Sequence, residues 1–254
     1  MYHYKLIIAY DGTHYHGWQA QKNLPCVAGI MQETFKKIFG RPIVLRGASR
    51  TDAGVHALGQ VAMFKTDLKI DVDQMKNAWN NRLPNDITIR SIQGIDPLHN
   101  IYNNIVSKTY YYHFFLERPL PFVQAYGWYI HQPVDLEKLK QGLQIFVGTH
   151  NFRSFCSNED TRENMIRSID SIHVEKFTKW GIYRIVVTGP AFLRHMIRRI
   201  VGAALTVAYQ KSVPIDVLKI ALDKKNPVQI LPNAPPQGLV LYKITYGKND
   251  YDKK

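Results

Sequence analysis

The chain has 254 residues, 45% of them hydrophobic and 12% aromatic, enough apolar surface to offset the entropy cost of folding, which excludes a disordered or low-complexity chain. It carries 33 Lys and Arg against 20 Asp and Glu, a formal net charge of +13, and that excess favours a polyanionic partner, nucleic acid ahead of an anionic membrane. Both halves are basic, with 12 basic against 8 acidic residues in 1–106 and 21 against 12 in 107–254. The two cysteines, Cys26 and Cys156, form no Cys-x-x-Cys pair, so neither a disulfide framework nor a cysteine zinc site is expected. With no targeting pattern at Met1 and no run approaching the ~18 apolar residues of a membrane span, a soluble cytoplasmic protein is expected.

The first half opens on an alternating strand from Tyr2 to Tyr10, closed by the turn pair Asp11-Gly12. Apolar residues at Val27, Ile30, Met31, Phe35, Ile38 and Phe39, followed by Gly40, predict a helix over 27–39. A short strand is expected over 43–46, then a loop over 47–57 and a second strand over 59–66. Asp71 caps a helix that runs to about Arg82, and a strand follows over 87–95. The second half begins with a β-rich run over 108–116 that Pro119 and Pro121 break. A helix capped by Asp135 and ended by Gly148 comes next, then strands over 165–177 and 182–189 joined at Trp180-Gly181. A strongly periodic helix over 191–209, another over 214–223, the Pro-rich loop 232–236 and a last strand over 239–246 complete it, leaving 247–254 as a polar tail. This order predicts an α+β fold of two βαββαβ (ferredoxin/RRM-like) subdomains, 1–106 and 107–254, with mainly antiparallel sheets side by side and a ligand cleft between them.

The densest chemistry lies in the loop Ser49-Arg50-Thr51-Asp52-Ala53-Gly54-Val55-His56-Ala57. Arg50 offers a fixed fork of donors for phosphate or carboxylate, Asp52 a nucleophile or base, and Gly54 a sharp backbone turn. By residue type alone, an Asx-type turn with an ion pair accounts for the loop equally well.

Arg50-Thr51-Asp52-Ala53-Gly54-Val55-His56-Ala57 with Gly59-Gln60-Val61 resembles the active-site motif of the TruA family of tRNA pseudouridine synthases. Four further segments are similar to that family's motifs, in the same order: Ile8-Ala9-Tyr10-Asp11-Gly12 with Gly17-Trp18-Gln19, Lys108-x-Tyr110-x-Tyr112, the run from Phe192 to Gly202, and Pro236-Gln237-Gly238-Leu239. The resemblance spans nearly the whole chain. It implies cleavage of the bond joining uracil to ribose, rotation of the base and rejoining through carbon, at uridines 38 to 40 of the tRNA anticodon stem-loop, by a homodimer without metal or organic cofactor.

Carried over residue by residue, the resemblance makes Asp52 the catalytic carboxylate and Tyr110 a ring that stacks on the uracil. Arg198 becomes a cation beside Asp52 that favours its ionised form, Leu239 an apolar pocket wall, and Arg50 the residue that takes part in flipping the target nucleotide out of its stack. On the helix over 191–209, Arg194 and Arg198 share a face four residues apart; for Arg194 and Arg199 a solvated basic face and a phosphate contact are equally open. Ser49 stands where the family usually has Gly, so a slightly altered approach of the loop is expected, and Ile101 where it commonly has Arg, so an RNA or structural contact is expected to be missing there. His14 and His16 lack a third ligand at diagnostic spacing, and no metal is expected. Two other classes compete: a non-catalytic RNA-binding protein or RNA chaperone, and a hydrolase or metal-dependent nuclease using Asp11, His14, His16, Asp52 and His56. Intact Asp52 argues against the first, and the lack of any metal or phosphate-loop motif against the second.

Overall fold

The computed structural model describes residues 1–177, 180–224 and 232–247. The chain divides into two compact units, Met1–Val106 joined by the stretch from Val240, and Ser107–Leu239. Both are α+β, with mainly antiparallel strands.

The first unit follows the expected order β1 (Tyr2–Tyr10), α1 (Val27–Phe39), β2 (Arg46–Gly47), β3 (His56–Thr66), α2 (Val72–Asn80) and β4 (Ile87–Ile95). Strand β1 lies between β3 and β4, antiparallel to both. Its alternation buries Tyr4, Leu6, Ile8 and Tyr10, the period of a strand with one face on a core. Helix α1 buries Val27, Ala28, Met31 and Phe35 on one stripe, and stops where Gly40, left-handed at φ 69°, returns its N–H to the Lys36 carbonyl. Helix α2 starts at Asp71, whose carboxylate accepts from the N–H groups of Asp73 and Gln74 at 3.1 and 3.0 Å. Between helices and sheet, Phe35 meets Phe64 and Trp79 with ring centroids 5.3 and 4.8 Å apart, and Trp79 Nε1 donates to the Met31 carbonyl at 3.2 Å.

One strand is shorter than predicted. Residues 43–45 do not pair, although Ile43 and Leu45 are buried, because the Gln32 side chain takes the Leu45 N–H at 2.8 Å, the donor that a ladder would use.

The second unit holds β5 (Ile105–Phe115), β6 (Trp128–Tyr129), α3 (Leu136–Gln144), β7 (Gly148–Asn151), β8 (Ile166–Ile169), β9 (Ser171–Phe177), β10 (Ile182–Gly189), α4 (Met196–Tyr209) and α5 (Asp216–Lys224). Strand β10 runs antiparallel between β5 and β9, short β6 pairs parallel with β5, and β7 and β8 make a separate antiparallel pair. The single strand predicted over 165–177 is two, because Asp170 N–H turns to the Thr188 carbonyl and the segments before and after it take different partners. Helix α4 begins five residues later than predicted. His195 is left-handed at φ 63° and the Arg194 carbonyl is taken by the Ser157 N–H, so the chain before Met196 cannot join the helical ladder. All but a few residues of α4 are buried, which makes it a core helix.

The last strand, β11 (Leu239–Tyr246), departs from the division at residue 106. From Val240 it belongs to the first unit, pairing parallel with β3 at Val240↔His56 and Leu241↔Ala57. Sequence order places it in the second half, but strand pairing decides membership. Residues 178 and 179, just before the predicted turn pair Trp180-Gly181, and the tail after Gly247 lie outside the described residues.

Candidate active site

The loop between β2 and β3 is built on the backbone of the segment that follows β1. Gly12 packs so closely that a Cβ there would stand 2.0 Å from the Val55 carbonyl oxygen. Gly17, at φ 88°, would place one 2.6 Å from the Thr51 carbonyl oxygen. Only glycine meets both conditions, the close approach and, at Gly17, the left-handed backbone. The Trp18 N–H donates to the Thr51 carbonyl at 3.1 Å and the Gly54 N–H to the Tyr15 carbonyl at 3.2 Å. Thus Asp11-Gly12 and Gly17-Trp18 form the floor under the loop.

Side chains hold the loop from within the first unit. The Tyr10 hydroxyl and Thr51 Oγ1 are 2.7 Å apart. Gln60, fully buried on β3, donates its amide N–H to the Ser49 carbonyl at 2.7 Å and accepts the Ser49 N–H at 3.3 Å. His56 Nδ1 lies 3.0 Å from both Gly12 N and Asp11 Oδ1, accepting from the first when it carries no hydrogen and donating to the second when it does.

Held in this way, the loop leaves Asp52 half-buried on a tight turn closed by the Val55 N–H to the Asp52 carbonyl at 3.2 Å, beside an exposed Arg50. Ser49, Thr51 and Val55 are buried on either side. A carboxylate so placed can meet a substrate without first losing backbone freedom, which is the geometric requirement for attack or proton removal.

Tyr110, Arg198 and Leu239 lie in the second unit. Tyr110 is buried on β5, its ring edge-on to Phe192 with centroids 5.4 Å apart. Arg198 Nε donates to the Ala234 carbonyl at 2.8 Å, and the Ala234 N–H returns to the Arg198 carbonyl at 3.0 Å. The Tyr112 hydroxyl donates to the Pro235 carbonyl at 3.0 Å, and burial pushes that phenol well above its ordinary range. A Cβ at Gly238 would stand 2.6 Å from the Tyr112 ring. Helix α4 and strand β5 therefore clamp the stretch that delivers buried Leu239. Arg194 ion-pairs with exposed Glu159 at the surface, the solvated reading.

His14 and His16 are exposed, and among the described residues no group of three or more His, Cys, Asp or Glu is placed to hold a metal ion. Ile101 is buried, with its carbonyl accepting from the Tyr246 hydroxyl at 2.9 Å, so its side chain belongs to the core. Gln60 is the positioning residue whose role the sequence left unread. Its signal was a lone amide inside the apolar stretch of β3.

The family described as tRNA pseudouridine synthase matches residues 6–102 and 143–247, and the chain belongs to it. Arg50, Asp52, Arg198 and Leu239 fall inside the matched segments, while Tyr110 falls between them. Among its relatives, the tRNA pseudouridine synthase A of Pseudothermotoga lettingae is 34% identical over 249 residues, 97% of this chain and all of that one. That of Thermodesulfovibrio yellowstonii is 35% identical over 256 residues, again 97% of this chain and all of the relative. The tRNA pseudouridine synthase A 1 of Protochlamydia amoebophila is 36% identical over 252 residues, 97% of each chain.

Proposed function

We propose that this chain isomerises uridine to pseudouridine in tRNA at positions 38, 39 or 40 of the anticodon stem-loop, with Asp52 as the catalytic carboxylate and without metal or organic cofactor. The bond from ribose C1′ to uracil N1 breaks and a bond from C1′ to C5 forms; C5 loses a proton and N1 gains one, so atoms and electrons balance with no oxidant. The observation that carries the reading is the carboxylate itself, half-buried on a turn whose neighbouring backbone groups are bonded to the Gly12–Trp18 floor. A pure binding surface has no use for a fixed carboxylate where phosphates must approach.

In this reading Arg50, exposed beside Asp52, draws the target nucleotide out of its stack by contact with phosphate. Tyr110, Arg198 and Leu239 serve the same uridine, as an aromatic surface, a cation and an apolar wall. The active form is a cytoplasmic homodimer, one protomer holding the body of the tRNA while its partner acts.

The test is tritium release from unmodified tRNA labelled at uracil C5, with the unaltered protein and Asp52→Ala, each with and without chelator. Joining ribose to C5 expels that hydrogen. Release by the unaltered protein alone, indifferent to chelator, is expected. Tight binding of several tRNAs without release would replace the isomerase with an RNA-binding protein, and release lost on chelation would overturn the metal-free part of the reading.

A further inference from the structure

Residues 152–165, the connection between β7 and β8, wall a cavity of about 360 Å³ in the second unit, within the range that holds a small ligand or one group of a larger one. None of Arg50, Asp52, Tyr110, Arg198 and Leu239 lines it. Its polar lining includes Arg153, Asn158, Asp160, Thr161 and Arg162.

The charges in this region do not cancel. Asp160 is buried, and Arg162 grips both of its oxygens, Nε at 2.8 Å and Nη2 on the other. That pairing holds the carboxyl at about 2, so the group is fully ionised and fully neutralised by a single arginine. Arg153 gives one N–H to the Asp160 carbonyl at 2.8 Å, and its remaining guanidinium donors have no partner among the described residues. Arg167 and Arg199 belong to the same electrostatic neighbourhood, and each has a buried Nε with no hydrogen-bond partner. Burial works against both cations, and the charge of Arg162 adds to the strain on Arg167. Burial also raises the Cys156 thiol, which keeps it neutral. Arg153, Arg162, Arg167 and Arg199 thus stand around two carboxylates of the cavity lining, Asp160 and Glu163, and Arg162 alone pairs with the first. Glu163 lines the cavity too and, like Arg162, is exposed, so solvent and salt screen both.

We infer that this cavity is a phosphate-binding subsite that takes a phosphodiester group of the RNA away from the reacting uridine, with Arg153 and Arg162 as its principal donors. Arg162 is held rigid by Asp160, so its remaining N–H groups are pre-aimed and little side-chain entropy is lost when an anion arrives. An incoming phosphate supplies counter-charge where arginines outnumber carboxylates, and Asn158 and Thr161 can satisfy its further oxygens. The inference rests on the reading of the chain as an enzyme of tRNA, which makes a polynucleotide the source of the phosphate.

The experiment measures tRNA affinity across a salt series for the unaltered protein and for Arg153→Ala, Arg153→Lys and Thr161→Glu. Arg153→Ala should weaken binding several-fold and flatten the slope of log affinity against log salt by about 1. Arg153→Lys should keep the slope. Thr161→Glu, on an exposed side chain that the fold does not need, should weaken binding by repulsion. Unaltered affinity and slope in both Arg153→Ala and Thr161→Glu would overturn the subsite. Inorganic phosphate bound through Arg153, with tRNA binding indifferent to that residue, would overturn the assignment to RNA. Because the readout is binding, an absence of tritium release with these slope changes intact would remove the isomerase reading and leave the subsite standing.

Discussion

Gly17 and Gly40 both adopt a left-handed backbone, at φ 88° and 69°, yet their surroundings differ. A Cβ at Gly40 would meet nothing within 4 Å, whereas one at Gly17 would press on the Thr51 carbonyl beside Asp52. Gly40→Ala should therefore cost only the left-handed penalty, about 1 kcal/mol, and leave activity intact. Gly17→Ala should cost roughly 3 kcal/mol, because backbone must move as well, and should lower turnover more than tRNA affinity by displacing Asp52. Urea midpoints and tritium release check both, and equal effects at the two positions would show that the floor does not govern the loop. The polar density of residues 49–57 was legible because such residues are rare between two strands. Gln60 was not, because its bonds to Ser49 join positions eleven apart through the backbone, and no hydrophobic period records such a bond.

At the scale of elements, helix α1 and strand β1 have the bounds that their periods predict, since each buries a continuous stripe of side chains. The misread elements share a cause: a single polar bond that outranks periodicity. Gln32 takes the Leu45 donor before β2, Asp170 divides β8 from β9, and the bond from Ser157 to the Arg194 carbonyl delays α4. The last of these belongs to a larger junction. Asp160 accepts the Arg194 N–H at 3.4 Å, so the β7–β8 connection both gives and takes bonds at the segment leading into α4, the helix that carries Arg198. The Asp160 carboxyl lies at about 2 in the fold, below its ordinary value. A depressed carboxylate contributes stability that is full above about pH 4 and is lost as pH falls through about 2. Asp160→Asn should accordingly be less stable than the unaltered protein near neutrality, with the gap closing as both are acidified over that window. A gap independent of pH, read from urea midpoints, would assign the junction to shape alone.

For the whole molecule, charge and connectivity lead to different expectations. The +13 charge is a property of the sum and was legible from composition, and it predicts binding that weakens with salt. The membership of β11 was not legible, because a strand's partner depends on pairing across more than a hundred residues. Its consequence is that the first unit is discontinuous. Residues 1–106 alone leave the start of β3, at His56 and Ala57, without the parallel partner that Val240 and Leu241 supply. They also lack the backbone of Tyr242, whose carbonyl oxygen a Cβ at Gly59 would approach to 2.4 Å. Val240, Leu241 and Ile244 are buried, and three such side chains contribute roughly 5 kcal/mol, comparable to the net stability of a small domain. A fragment of residues 1–106 should therefore unfold without a cooperative transition or with a sharply lowered urea midpoint, and a peptide of residues 239–247 added in trans should restore the transition. Restoration by the peptide would tie the order of the Asp52 loop to the far end of the chain, since β11 pairs where that loop ends. A fragment as stable without the peptide as with it would show that β11 is an ornament of the sheet and that the loop stands on β1, β3 and their glycine floor alone.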